Sequence, residues 1–345
     1  MRMDSSLHNA DARPVSRRSI GKFQIKPIGL GCMNLSHAYG VPPDAKASER
    51  LLREALDLGV DFFDTAALYG FGANEDLIGR VLAPHRSRFT LATKGGMAGV
   101  DGVRVIDGRP EALRQNCEDS LRRLRTDVID LYYLHRWDKR VPIGDSVGAL
   151  ADLVREGKVR SIGLSEVSAR TLRQAHSVHP IAALQNEYSL WTRNPEIEVL
   201  KACRELGIAF VAFSPLGRGF LGGELRTTTD LQAKDIRRAM PRFEPTHYAQ
   251  NLQLLGAYVA LAQELGCSPA QLALAWLLEK DASIIAIPGT TRLNHLRDNM
   301  GALQLRLNDD VMTRLDTLIN RHNVSGARYS AANQAEIDSE EFADR

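Results

Sequence analysis

The chain has 345 residues, 44% of them hydrophobic and 25% charged, a composition that excludes wholesale disorder and fits one large domain or two small ones. Forty-four basic residues against 42 acidic ones leave a formal charge of +2, too balanced for the broad basic field of a nucleic-acid binder. No apolar run approaches the roughly 18 to 20 residues that span a bilayer, so neither nucleic acid nor membrane is expected as a partner.

In chain order, residues 1–18 are polar. Arg17 and Arg18 form an arginine pair, but no continuous apolar stretch follows as an export signal requires, and the segment reads as a loose tail. RSIGKFQIK, with a glycine between two short runs, predicts a β-hairpin. From there to residue 323, short β-branched or aromatic runs alternate with amphipathic stretches, the pattern of repeated βα units on a parallel sheet. Strands are predicted at 27–33, 60–66, 89–94, 128–135, 159–165, 182–188, 208–215 and 283–289. Helices are predicted near 45–58, 74–85, 145–157, 168–178, 195–206, 248–265, 292–303 and 308–321. A further helix opens at Arg109-Pro110, with Leu113, Cys117, Leu121 and Leu124 along one stripe, and another at Ser268-Pro269. Eight such units in about 300 residues fit an α/β fold, a (β/α)8 TIM barrel over 19–323 with an N-terminal β-hairpin and extra helices. A doubly wound open sheet is the main rival. Residues 324–345 are polar and read as a mobile appendage. Cys32, Cys117, Cys203 and Cys267 are widely spaced without a CxxC pair and read as reduced thiols of a cytoplasmic protein.

In a barrel, the catalytic groups stand at the C-terminal ends of the strands. The ends of the second to fifth predicted strands deliver Asp64, Lys94, His135 and Ser165, and Tyr69 follows Asp64 in its loop. A tyrosine hydroxyl, with a reference pKa near 10, donates a proton reluctantly; a nearby ammonium favours its ionised form, and Lys94 can supply that charge. A buried lysine needs a carboxylate, which Asp64 offers. His135 can donate a hydrogen bond to a substrate oxygen. Each residue alone is as readily structural, Asp64 as a loop cap, Lys94 as a solvated charge and His135 as a satisfied core histidine; their coincidence at strand ends carries the functional reading.

The runs DFFDTAALYG, TKGG, YYLHRWD, GLSEVS, LQNEYS, FSPLGRGFLGG and IPGTTRLNHLRDN, in this order from about Ile25 to Leu318, resemble the aldo-keto reductase superfamily. The resemblance implies NADPH-dependent reduction of a small-molecule aldehyde or ketone, with Tyr69 as general acid, Asp64 and Lys94 tuning it and His135 orienting the carbonyl. It also implies that Ser165 and Gln185 hold the nicotinamide carboxamide and that Phe213 stacks on the nicotinamide ring. Ser214, Pro215, Leu216 and Gly217 match the loop over the pyrophosphate. Gly289, Thr290, Thr291 and Arg292 match the site of the adenosine 2′-phosphate, and Asn299 the residue facing the adenine.

Glu166 stands where the family has asparagine; a carboxylate cannot donate as an amide does, so it either turns away or is held by a cation. Asn186 reads equally as a polar packing residue. Gly217, Gly219 and Gly222 satisfy GxGxxG, but Pro215 intervenes and no helix opens at Gly222, so a Rossmann turn is not expected. A strand ending in a glycine turn before a helix, as in IPGTTRLNHLRDN, suits an anion, and Arg292 suits planar contact with phosphate, although apart from the resemblance it reads equally as the first solvated residue of that helix. Trp137 and Trp191 either wall a substrate pocket or pack in the core, and substrate choice is expected in GGMAGVDGVRVIDG, in 226–248 and in the C-terminal appendage. Two other functions stay open: a Schiff-base aldolase acting through Lys94, and a redox-sensing regulatory or binding subunit that retains the cofactor pocket. No metal is expected, because His176 and His179 form the only close histidine pair and lack a third ligand nearby. Both a monomer and an assembly are compatible with the sequence.

Overall fold

The computed structural model describes residues 16–343; residues 1–15 of the expected tail lie outside the described residues. Arg18–Ile20 (β1) and Phe23–Ile25 (β2) form the predicted antiparallel hairpin. Ten further strands follow: Leu30–Gly31 (β3), Phe62–Asp64 (β4), Thr90–Gly95 (β5), Met97–Val100 (β6), Val103–Ile106 (β7), Leu131–Leu134 (β8), Ile162–Ser165 (β9), Ile181–Glu187 (β10), Ala209–Phe213 (β11) and Ile284–Ala286 (β12). Eight of them make one parallel sheet in the order β3-β4-β5-β8-β9-β10-β11-β12. Parallel bridges Ile28–Ala286 and Gly31–Gly289 join its two ends, which closes the barrel and excludes the open sheet.

Side-chain alternation explains how the hairpin is used. Ile20 and Ile25 point the same way and are fully buried. They pack in one cluster with Phe62, Leu131 and Ala209, the first residues of β4, β8 and β11, and with Ala92 and Ala183 in the first halves of β5 and β10, so the hairpin plugs the bottom of the barrel. The opposite, C-terminal end is left for polar side chains. Outside the barrel, Leu113, Cys117, Leu121 and Leu124 are all buried on the helix Pro110–Leu124, as their spacing predicts. The helix Pro269–Lys280 starts with a complete capping box: Ser268 Oγ accepts from Gln271 N at 3.0 Å, and Gln271 Oε1 accepts from Ser268 N at 3.2 Å. Such a cap contributes about 1 kcal/mol. No described helix is long and apolar enough to cross a membrane.

Two segments depart from the sequence reading. GGMAGVDGVRVIDG, expected as loop, contains the antiparallel hairpin β6–β7, turned at Asp101 and Gly102, both with positive φ (50° and 77°). Asp-Gly at the centre of a two-residue turn favours that geometry. The second departure is the C-terminal stretch. It is not a loose appendage: it lies across the C-terminal end of the barrel and contributes Tyr329, Asn333, Glu336 and Ile337 to the cavity there. Lys139 Nζ donates to the carbonyls of Ala335 (2.9 Å) and Ile337 (2.8 Å). Asp338 and Glu340 accept from Ser168 N (3.1 Å) and Ala169 N (2.7 Å), at the start of the helix Ala169–Val178. Acidic side chains there complement the helix dipole, so the polarity that suggested a solvated tail comes from groups bonded to the barrel.

Candidate active site

A cavity of about 530 Å³ opens at the C-terminal end of the barrel. Asp64 ends β4, Lys94 lies near the end of β5 and His135 directly follows β8. Tyr69 opens a short 3-10 turn, Tyr69–Gly72, after β4. Because β4, β5 and β8 are successive parallel neighbours, their ends fall side by side.

Lys94 is fully buried, and its Nζ donates to Asp64 Oδ1, to the Thr65 carbonyl at 2.9 Å and to Tyr69 Oη at 3.3 Å. The other Asp64 oxygen accepts from Gln185 Nε2 at 2.7 Å. The rings of Tyr69 and His135 meet edge to face, with centroids 5.8 Å apart. Four expected residues are thus brought together, with three of them, Asp64, Tyr69 and His135, on the cavity wall and Lys94 behind them.

Their electrostatics follow from burial and from one another. Burial alone pushes the Lys94 ammonium toward losing its proton, but Asp64 and then Tyr69 outweigh it, and the net direction is up. A lysine held charged in this way is a poor amine nucleophile, which argues against a Schiff base on Lys94. For Tyr69, burial dominates and raises the phenol, with Lys94 the largest opposing influence. The sequence reading expected the ammonium to favour ionisation; it does pull that way, yet desolvation wins and Tyr69 keeps its proton at neutral pH. Burial, then the charges of Arg136 and Lys94, hold His135 well below the usual imidazole range, so it is neutral.

From these groups the cavity runs past Ser165, Gln185, Phe213, Ser214, Pro215 and Leu216 to Gly289, Thr290 and Asn299. Gly217 is buried just behind this wall, at φ 54°, where an added Cβ would come within 3.0 Å of Trp191. Arg218 also has a left-handed φ (56°); its guanidinium is anchored on buried Glu187 at 2.6 Å and on Tyr329 Oη at 3.0 Å. At the far end, the helix Leu293–Gly301 begins after Arg292 with no side-chain cap on its first amides. Those free N–H groups suit an anion, and Arg292, 65% exposed, stands beside them, 3.6 Å from Glu224. Thr291 and Arg292 sit outside the cavity lining, on the surface. An aromatic face at one end and uncapped helix amides at the other, joined by a glycine-bearing loop, fit a dinucleotide's ring and phosphates.

Glu166 is absent from the cavity lining. Its φ is 56°, and its carboxylate is held by Arg328, with Glu187 N donating at 3.0 Å. It is therefore held by a cation. The sequence did not indicate which arginine, because Arg328 belongs to the stretch read as a tail. Asn186 is a packing residue: its Oδ1 accepts from Glu166 N at 2.7 Å. Trp191 stacks on Phe220 in the core (4.3 Å between centroids), Trp137 bonds the Val141 carbonyl at 2.9 Å, and neither lines the cavity. Met97 and Arg104, which do, fall in the segment expected to choose the substrate but were not singled out in it; sequence reasoning missed His37 and Arg136, which also line the cavity. The alternation of MAGV and VRVI about Asp101-Gly102 was the available signal for Met97 and Arg104.

The comparisons agree with this geometry. Residues 27–320 match the Aldo/keto reductase family. The chain is 42% identical over 326 residues to a probable aldo-keto reductase of Glycine max, covering 94% of this chain and 93% of that one. Among solved structures it is similar to a glycerol dehydrogenase from Gluconobacter oxydans, with a TM-score of 0.81 at 29% identity over 92% of this chain and 98% of the other. It is also similar to an aldo/keto reductase from Klebsiella pneumoniae in complex with NADP and acetate, with a TM-score of 0.69 at 25% identity over 92% and 99%. The barrel, the order of its motifs and these relatives lead to one conclusion: the chain belongs to the aldo/keto reductase family.

Proposed function

We propose that this protein reduces an aldehyde or ketone to the alcohol, using NADPH, with Tyr69 as the proton donor. The observation that carries the reading is the buried chain Asp64–Lys94–Tyr69, with Lys94 Nζ 3.3 Å from the phenol, opening on a cavity that continues to Phe213 and Thr290. NADPH bound there would supply a hydride to the carbonyl carbon.

Ser165 and Gln185 orient the carboxamide, Phe213 gives the ring a flat support, and the 214–217 loop covers the pyrophosphate. The helix amides after Arg292, with Thr290, Thr291 and the Arg292 guanidinium, hold the 2′-phosphate, and Asn299 faces the adenine. His135, neutral, donates a hydrogen bond to the substrate oxygen and fixes its direction toward Tyr69. Tyr69 gives its proton to that oxygen as charge develops on it. The charged Lys94 stabilises the phenolate left behind, and Asp64 keeps Lys94 charged in a desolvated place.

The experiment is direct. Purified protein with NADPH and a panel of aliphatic and aromatic aldehydes should consume NADPH in step with alcohol formation. Tight NADPH binding without turnover of any carbonyl would instead support a redox-sensing binding subunit and overturn this reading.

A further inference from the structure

Four arginines line the cavity: Arg104, Arg136, Arg218 and Arg237. Three are matched by carboxylates. Arg104 pairs with Glu336 (2.6 Å to Oε2), Arg218 with Glu187 (2.6 Å) and Arg237 with Asp235 (2.7 Å). Arg136 differs: among the described residues no carboxylate lies within ion-pairing distance of it. Its Nη1 donates to the His135 carbonyl at 2.7 Å and to Ser165 Oγ at 3.2 Å. Those bonds fix the plane of the guanidinium while leaving the Nε and Nη2 donors without a protein acceptor among the described residues. A half-buried, oriented fork of this kind matches the two oxygens of a carboxylate.

Its position selects what it can read. Arg136 follows His135 directly and sits beside Ser165, so its charge is close to the groups that face the carbonyl. That charge is felt by His135 and by Tyr69 alike. Leu68 and Met97 add apolar surface to the same cavity. Resting on the reductase reading above, we infer that the preferred substrate is a carbonyl compound that also carries a carboxylate, and that Arg136 is the residue that reads it. The bond to Ser165 Oγ supplies the competing role, in which Arg136 only positions that hydroxyl for the cofactor.

Matched acids and esters separate the two. The pairs are 4-formylbenzoate with its methyl ester and 4-oxobutanoate with its methyl ester, assayed with NADPH. The wild type should favour the acid in at least one pair. Arg136→Gln should lower the acid-to-ester ratio of kcat/KM by about 10- to 100-fold, the size of a lost charge-assisted hydrogen bond, chiefly through KM. Arg136→Lys should restore part of the ratio. Equal losses for acid and ester, or a wild-type preference for both esters, would overturn the inference. Calorimetric titration of both pairs into the NADP-loaded protein reads affinity without turnover. An acid preference there that Arg136→Gln removes, with no carbonyl reduced, would retain the role of Arg136 and discard the reductase reading. Absence of any acid preference in the calorimetry would overturn the role of Arg136 even if both compounds were reduced.

Discussion

Replacing Lys94 by Met tests the buried charge pair by a route that needs no substrate. In the wild type the ammonium lies against Asp64, and both side chains are buried. Burial raises the Asp64 carboxyl, with Lys94 the first influence opposing it and Gln185 another. Without Lys94, the folded protein must either hold a bare carboxylate or take up a proton that the unfolded chain has released. With a reference value near 3.9, protonation at pH 7 costs about 4 kcal/mol, since each unit is worth about 1.4. The Gln185 amide, 2.7 Å away, still serves one oxygen, so we expect a loss of about 3 kcal/mol. The sign follows from proton counting: the folded variant binds more protons than the unfolded chain, so its stability falls as pH rises and recovers as pH drops toward the carboxyl's own range. At pH 5 the penalty should shrink to about 1 kcal/mol. Urea unfolding followed by circular dichroism, on wild type, Lys94→Met, Asp64→Asn and the double variant at both pH values, reads this directly. The double variant, with no charge to compensate, should recover at least about 2 kcal/mol of the loss at pH 7. A penalty independent of pH, or a double variant no more stable than Lys94→Met, would refute the argument.

Three further outcomes are expected. Arg292→Ala should weaken NADPH binding about tenfold, the lower end for a charge-assisted bond because this side chain is 65% exposed, and leave NADH affinity nearly unchanged; equal losses in fluorescence titrations would remove its phosphate role. Arg328→Met should destabilise the protein by about 3 kcal/mol in urea, because it strips the cation from buried Glu166, and adding Glu166→Gln should restore much of that; a loss under about 1 kcal/mol would show that the Arg328–Glu166 pair contributes little. The pH profile of kcat/KM for reduction should show no break near 6.5, since burial, Arg136 and Lys94 keep His135 neutral; a break there that His135→Gln abolishes would contradict this.

The parts of the protein that were legible in the sequence are those where local pattern and global fold agree. Each barrel strand falls within a residue of an apolar run bounded by turn residues, and Asp64, Lys94 and His135 were findable because a parallel barrel brings strand ends together. What was not legible is long-range pairing among polar residues. The sequence left Glu166 either turned away or held by a cation, and nothing in it pointed to Arg328, 162 positions away. Arg328, Asp338 and Glu340 looked like solvated tail because composition does not distinguish a polar side chain in water from one bonded to a barrel helix. Burial also changed a sign. The sequence set the Tyr69 phenol against a nearby ammonium, and only the three-dimensional enclosure shows desolvation to be the stronger of the two. Trp137 and Trp191 illustrate the same limit: large aromatics after strand ends suit a pocket wall and a core equally, and here both pack away from the cavity.

In the proposed reaction Tyr69 hands its proton to the carbonyl oxygen, and this transfer is open to a direct measurement. It is tested most directly by single-turnover stopped-flow measurement of NADPH oxidation by Tyr69→Phe at saturating aldehyde, alongside the variant's NADPH affinity. The rate should fall by about 10²- to 10⁴-fold while NADPH binds within about twofold of wild type. A rate within about threefold of wild type, with cofactor bound, would contradict it.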